Sequence, residues 1–302
     1  MTTNEGSTFA GPTSGERGVL QPGRWRRWRM MGWMFFLFFL LCACQGLCVA
    51  FARPVFAGGG DGRDLFWVLV FSALGLGLYA GAVRLGEKRW PGELAPRFAA
   101  RELLLGLLMG AGMFGLVMAV LVGLGFYQLE GPRLASPVGA VAQAITSGVM
   151  EELLFRAVLL RLLTRAFGLG WALGLSAALF GLLHMNNPNA TLMAALAIAV
   201  EAGPLLAAFY LLTGRLWMSI GVHAAWNFTQ AFVFGASVSG VVTHRSLFVG
   251  SPRAGVSEAL SGGVFGPEAS LPAMVIGAGV AVVVFIAAHR KATARALELH
   301  GA

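Results

Sequence analysis

Long apolar runs separated by short polar segments dominate the pattern, and their lengths predict about eight helices. The runs lie near residues 32–51, 65–83, 103–127, 138–163, 168–184, 191–212, 217–234 and 271–288. Most approach the roughly 20 residues that an apolar helix needs to cross a bilayer. They are continuous rather than alternating, which predicts helices and not a transmembrane barrel. The stretch from Met1 to about Pro22 is rich in Gly, Thr and Ser, has no hydrophobic period, and is expected to be a disordered tail. Residues 235–270 are rich in Gly, Ser and Pro and are expected to form a loop, partly re-entrant or lying on the surface.

Composition sharpens this into a class. Of 302 residues, 57% are hydrophobic and 12% charged, about half the charge content of a soluble domain; the mean hydropathy is +0.73. The fold class is therefore all-α, a polytopic integral membrane bundle of about eight transmembrane helices around a central polar cavity. The net charge of +8 does not point to nucleic acid, because the basic residues sit in loops without a basic-aromatic groove. They gather on one side of the predicted membrane: a basic aromatic collar at 24–29, then Arg84, Lys88, Arg89, Arg97, Arg101, Arg161, Arg165, Arg215, Arg290 and Lys291. That asymmetry places both termini in the cytoplasm. The expected organisation is a cytoplasmic tail with its collar over 1–31, one membrane domain over 32–290, and a short cytoplasmic tail over 291–302. Cys42, Cys44 and Cys48 all fall in the first run and are expected to be small apolar filler. The alternative, a lipoprotein-like signal around Cys44, fits poorly because the run continues to Phe51.

Three motifs interrupt the apolar runs: E-E-L-L-F-R at 151–156, F-G-L-L-H at 180–184 and H-A-A-W-N at 223–227. Ionisable groups at membrane depth are expensive, so each marks a functional site by default. Glu152 and Arg156, four apart, share a helical face and form an expected ion pair. Glu151 points about 100° away, without a cation in its own turn, which suits a general base or acid. His223 and Asn227, again four apart, offer two donors to one point, as an oxyanion site requires. Two chemistries fit. In one, Glu151 and His184 activate a water while His223 and Asn227 stabilise the oxyanion. In the other, Glu151, His184 and His223 bind zinc and leave a position open for water. H-E-x-x-H is absent, so the chain is no zincin. Glu201 is a further acid in the sixth run, either hydrogen-bonded across the bundle or lining the substrate cavity.

These motifs, in this order, resemble the CAAX protease and bacteriocin-processing (CPBP, or Abi) family of intramembrane proteases, whose pattern is E-E-x-x-x-R, F-x-x-x-H, H-x-x-x-N. The stretches 213–217 and 226–228 resemble its bacterial members, and the likeness covers about residues 140–240. The resemblance implies an intramembrane endopeptidase with eight helices around a conical cavity open toward the cytoplasm. Glu151 and His184 would activate water, His223 and Asn227 would hold the oxyanion, and Glu152 with Arg156 would support them. The cofactor stays open between zinc and a metal-free glutamate mechanism. The implied partners are membrane lipid and a membrane-associated protein or peptide substrate, in a setting whose composition suggests a bacterial plasma membrane. Two other readings use the same polar residues: a non-catalytic membrane adaptor, and a proton-coupled carrier, which would call for repeated halves that the sequence lacks.

Overall fold

The computed structural model describes residues 16–57, 59–243 and 245–300. The first fifteen residues of the expected tail therefore lie outside the described residues. The rest of that tail is shorter than expected: Gly18–Leu20 forms one turn, Leu20 is buried, and Arg26 pairs with Glu16 at 2.7 Å.

Helix α1 spans Arg26–Phe51. It buries Met30, Met34, Leu37, Leu41, Cys44 and Cys48, a stripe spaced alternately four and three apart that marks one face of a helix. Phe35, Phe36 and Phe39 point outward, where lipid would cover them. Helix α2, Gly62–Gly86, starts in a capping box in which Asp61 accepts from the Arg63 and Asp64 amides, satisfying donors that a helix start leaves open. Helix α3 covers Ala99–Gly123, and α4 covers Val138–Phe167. Helix α5, Leu169–Leu183, is only 15 residues long. Helices α6, Leu192–Val200, and α7, Ala202–Thr213, form one span broken at Glu201. Pro204 explains the break: it has no N–H to return to the Val200 carbonyl. Helix α8, Leu216–Phe228, continues into a wider turn at Thr229–Val233, and α9 runs Leu271–His300.

Among the described residues, seven spans are long and apolar enough to cross a membrane, with α6 and α7 counted together. The expected run at 217–234 is present as α8, but it is not one of the seven. Ser219, His223, Asn227, Thr229 and Gln230 dilute its hydropathy, and all five are buried. A helix that carries so much polarity is stable only inside the bundle. Close packing holds it there. Gly106 and Gly110 of α3 lie against the α8 backbone at Met218 and Val222, and Gly221 returns the contact to Leu103 and Gly106. Small residues four apart let two membrane helices approach this closely.

The end of the bundle that carries the collar holds a buried ion network. The Glu87 carboxylate accepts from Arg161 at 2.7 and 2.8 Å, Arg89 at 2.8 Å and Trp33 at 3.0 Å. At the far end, strand β1, Tyr127–Glu130, pairs antiparallel with β2, Val249–Pro252. Segment 235–270 packs into this end rather than lying on it: Ala236, Val238, Phe265, Glu268 and Ser270 are all buried.

Candidate active site

The first motif lies where α4 widens. Residues Ser147–Glu151 and Leu153–Leu160 form i→i+5 turns, a geometry often found at functional sites. Glu152 is fully buried, and its Oε1 accepts from Arg156 Nη1 at 3.0 Å. Arg156 also donates to the Ala202 and Gly203 carbonyls at 3.2 and 3.3 Å, so it ties α4 to the break before α7. The guanidinium lies over the Phe180 ring at 4.9 Å. The ion pair expected from the spacing is therefore present, and it joins three helices.

His223 sits between the two glutamates. Its Nδ1 is 3.0 Å from Glu152 Oε1, and its Nε2 is 3.8 Å from Glu151 Oε2. That Glu151 oxygen is buried without a hydrogen-bond partner, while the side chain as a whole is 31% exposed. Asn227, one turn on from His223, donates through Nδ2 to Ser147 Oγ at 2.9 Å. Ser147 in turn donates to the Gln143 carbonyl at 3.0 Å.

His184 caps the end of α5. Its Nδ1 lies 2.7 Å from the Phe180 carbonyl. A carbonyl only accepts, so Nδ1 carries the proton and the neutral ring keeps a basic lone pair on Nε2. Its position at the end of α5 brings His184 to a cavity that residues of the third motif also line.

A small cavity of about 30 Å³ brings the second and third motifs together. His184, His223, Asn227, Glu201, Ser239 and Glu268 line it, with Phe180 and Trp226 among its apolar walls. It has room for a water or two. Glu151 is not among the lining residues; it reaches His223 Nε2 at 3.8 Å. Among the described residues, no hydrogen bond joins Glu151 to His184.

Residues 133–229 match the family model described as type II CAAX prenyl endopeptidase Rce1-like. The matched segment contains all three motifs, so the resemblance read from them is shown for this part of the chain. No curated protein and no solved structure matches the chain.

Two lining groups, Ser239 and Glu268, lie beyond the Rce1-like segment. They reach the cavity because segment 235–270 folds back into the bundle, and nothing in the local pattern announced it. Ser147, inside the Rce1-like segment, could have been found: it lies four residues before Glu151, on the same helical face. Burial pushes the Glu268 carboxyl up to about 7, although hydrogen bonds from Ser239 and Gln230 and the nearby His223 favour its charged form. Glu201, left open between two roles, lines the cavity.

The donor set offered for zinc does not fit a metal as it stands. His184 and His223 each turn Nδ1 to a protein oxygen, as metal-bound imidazoles do. Yet among the described residues no three His, Cys, Asp or Glu side chains gather around one point.

Proposed function

We propose that the chain is an intramembrane endopeptidase that hydrolyses a peptide bond in a membrane-associated protein or peptide, with residues 32–290 as its proteolytic unit. The observation that carries this reading is the convergence of His184, His223 and Asn227 on one buried cavity, with an unpartnered Glu151 oxygen beside His223. The Rce1-like match over the same residues supports it.

In this mechanism a water is deprotonated by Glu151, with the His184 Nε2 lone pair orienting it. Its oxygen bonds to the scissile carbonyl carbon, and negative charge moves to the carbonyl oxygen. The Asn227 amide donates to that oxygen, as does His223 through Nε2 when both ring nitrogens carry protons. Donors fixed in place before the charge develops need no reorganisation during the reaction. Collapse breaks the C–N bond, and the proton held by Glu151 passes to the leaving amine. Glu152 and Arg156 keep His223 in register. In this reading the collar end and both termini face the cytoplasm of a bacterial cell, which the gathering of basic residues at that end supports.

The test compares labelled N-termini of membrane proteins from cells expressing the wild type or Glu151→Gln. New N-termini are expected with the wild type and not with the variant, at equal amounts of membrane-inserted protein. Identical sets of N-termini would remove Glu151 from the mechanism.

A further inference from the structure

Glu201 and Glu268 line the same cavity, and the hydrolytic steps use neither. Both are buried, at 1% and 2% exposure. Glu201 sits at the break between α6 and α7, packed against Gly277 of α9. Among the described residues its carboxyl has no hydrogen bond and no ion pair, and it faces the cavity. Glu268 Oε1 accepts from the Ser239 amide at 2.5 Å and from Ser239 Oγ at 2.9 Å. No Lys or Arg among the described residues pairs with either acid; their electrostatic neighbours include each other, His223 and Tyr127. Glu201 therefore brings acceptors to this wall that no donor among the described residues meets, in a cavity that Trp226 also lines.

Buried carboxylates need a cation or a proton. A primary ammonium is about as large as a water, brings three donors, and is attracted to an aromatic face. The cavity has room for a guest of that size, whereas a planar guanidinium is larger. We propose that Glu201 and Glu268 form a subsite for a primary ammonium group, the tip of a substrate lysine side chain held next to the scissile bond. This rests on the peptidase reading and adds a specificity to it.

The probe is a library of peptides digested from a proteome, presented to the purified protein in liposomes. Cleavage sites are expected to be enriched in lysine at one position near the cut. For the best peptide, replacing that lysine with Nε-acetyl-lysine should slow cleavage at least about tenfold, the value of a charge-assisted hydrogen bond. Glu201→Gln and Glu268→Gln should bring the ratio of the two rates toward one. Equal cleavage of the lysine and acetyl-lysine peptides by the wild type overturns the subsite. So does a slowing of both peptides by the same factor in the variants, which would make the acids a proton source instead. Binding is read separately, in detergent, as the melting shift from n-butylammonium against that from n-butanol. If the wild type cleaves no peptide, the hydrolytic reading has failed and melting decides the subsite. A shift specific to butylammonium and lost in both variants upholds it, and equal shifts from the two compounds overturn it.

Discussion

Asn227 owes its orientation to a single hydroxyl. The Ser147 hydrogen bond at 2.9 Å occupies one N–H of the amide and leaves the other for a developing oxyanion. Losing an oxyanion donor typically lowers turnover about 100- to 1000-fold, whereas an interhelical hydrogen bond in a membrane bundle averages only about 0.6 kcal/mol. Asn227→Ala should therefore reduce kcat by two to three orders of magnitude at nearly constant Tm. Ser147→Ala, which frees the amide without removing it, should reduce kcat only a few-fold. Turnover and melting measured on the same preparations check this. A fall in Tm for Asn227→Ala with kcat per folded molecule unchanged would make Asn227 a packing residue. The Glu152–Arg156 pair and the shared face of His223 and Asn227 were legible in the sequence, because i,i+4 spacing is a property of one helix. That His223 lies between both glutamates was not, since it joins residues more than 70 positions apart.

Helix α8 carries half of the site, and its position depends on α3. The backbones touch at Gly106, Gly110 and Gly221, where an added Cβ would overlap main-chain atoms. Gly110→Ala should therefore push α8 away, lowering stability by about 1–3 kcal/mol and reducing turnover with it, since His223 and Asn227 move. Gly112, on the same helix, has open space around its Cα; Gly112→Ala should stay within about 0.5 kcal/mol of the wild type. Thermal melting of both variants in detergent gives the comparison, and equal losses would show that the α3–α8 contact is not what holds the site. The helical periods were readable from the chain, and most boundaries fall within a few residues of expectation, but α1 begins at Arg26 and α9 runs on to His300, past the expected 288 and through most of the expected tail. The short α5 was readable only as a boundary. That its end brings His184 to one cavity with His223 and Asn227 depends on how the helices pack.

For the whole molecule, stability depends on ion pairs placed at the collar end. Burial alone would raise the Glu87 carboxyl, but Arg161, Arg89 and Trp33 more than offset it and hold the group at about 2, against an ordinary 4.5. A carboxyl depressed in the folded state stabilises the fold above its unfolded value and loses that contribution as pH falls through the folded one. Glu87 should therefore contribute about 3 kcal/mol at pH 7, fading between pH 4.5 and 2. Glu87→Gln should melt well below the wild type at pH 7, and the gap should narrow steadily below pH 4.5. A gap that is absent at pH 7, or constant down to pH 3, would contradict the network's role.

What the sequence determined by itself was local and repetitive. Runs of about twenty apolar residues can only be membrane helices, and polar residues at helical spacing within them had to share a face and be buried together. The three motifs and the membrane class follow from those two facts. The tertiary structure alone decided which faces meet. It put Glu151 and Glu152 on either side of His223, left Glu151 apart from His184, and brought Ser239 and Glu268 into the cavity from a segment without hydrophobic period. The reason is physical. Hydrogen-bond spacing within a helix is set by the backbone, whereas contacts between helices depend on packing angles, on glycines that permit close approach, and on breaks such as the one Pro204 imposes at Glu201. Those are properties of the assembled bundle, and the acid pair at the cavity wall exists only because of them.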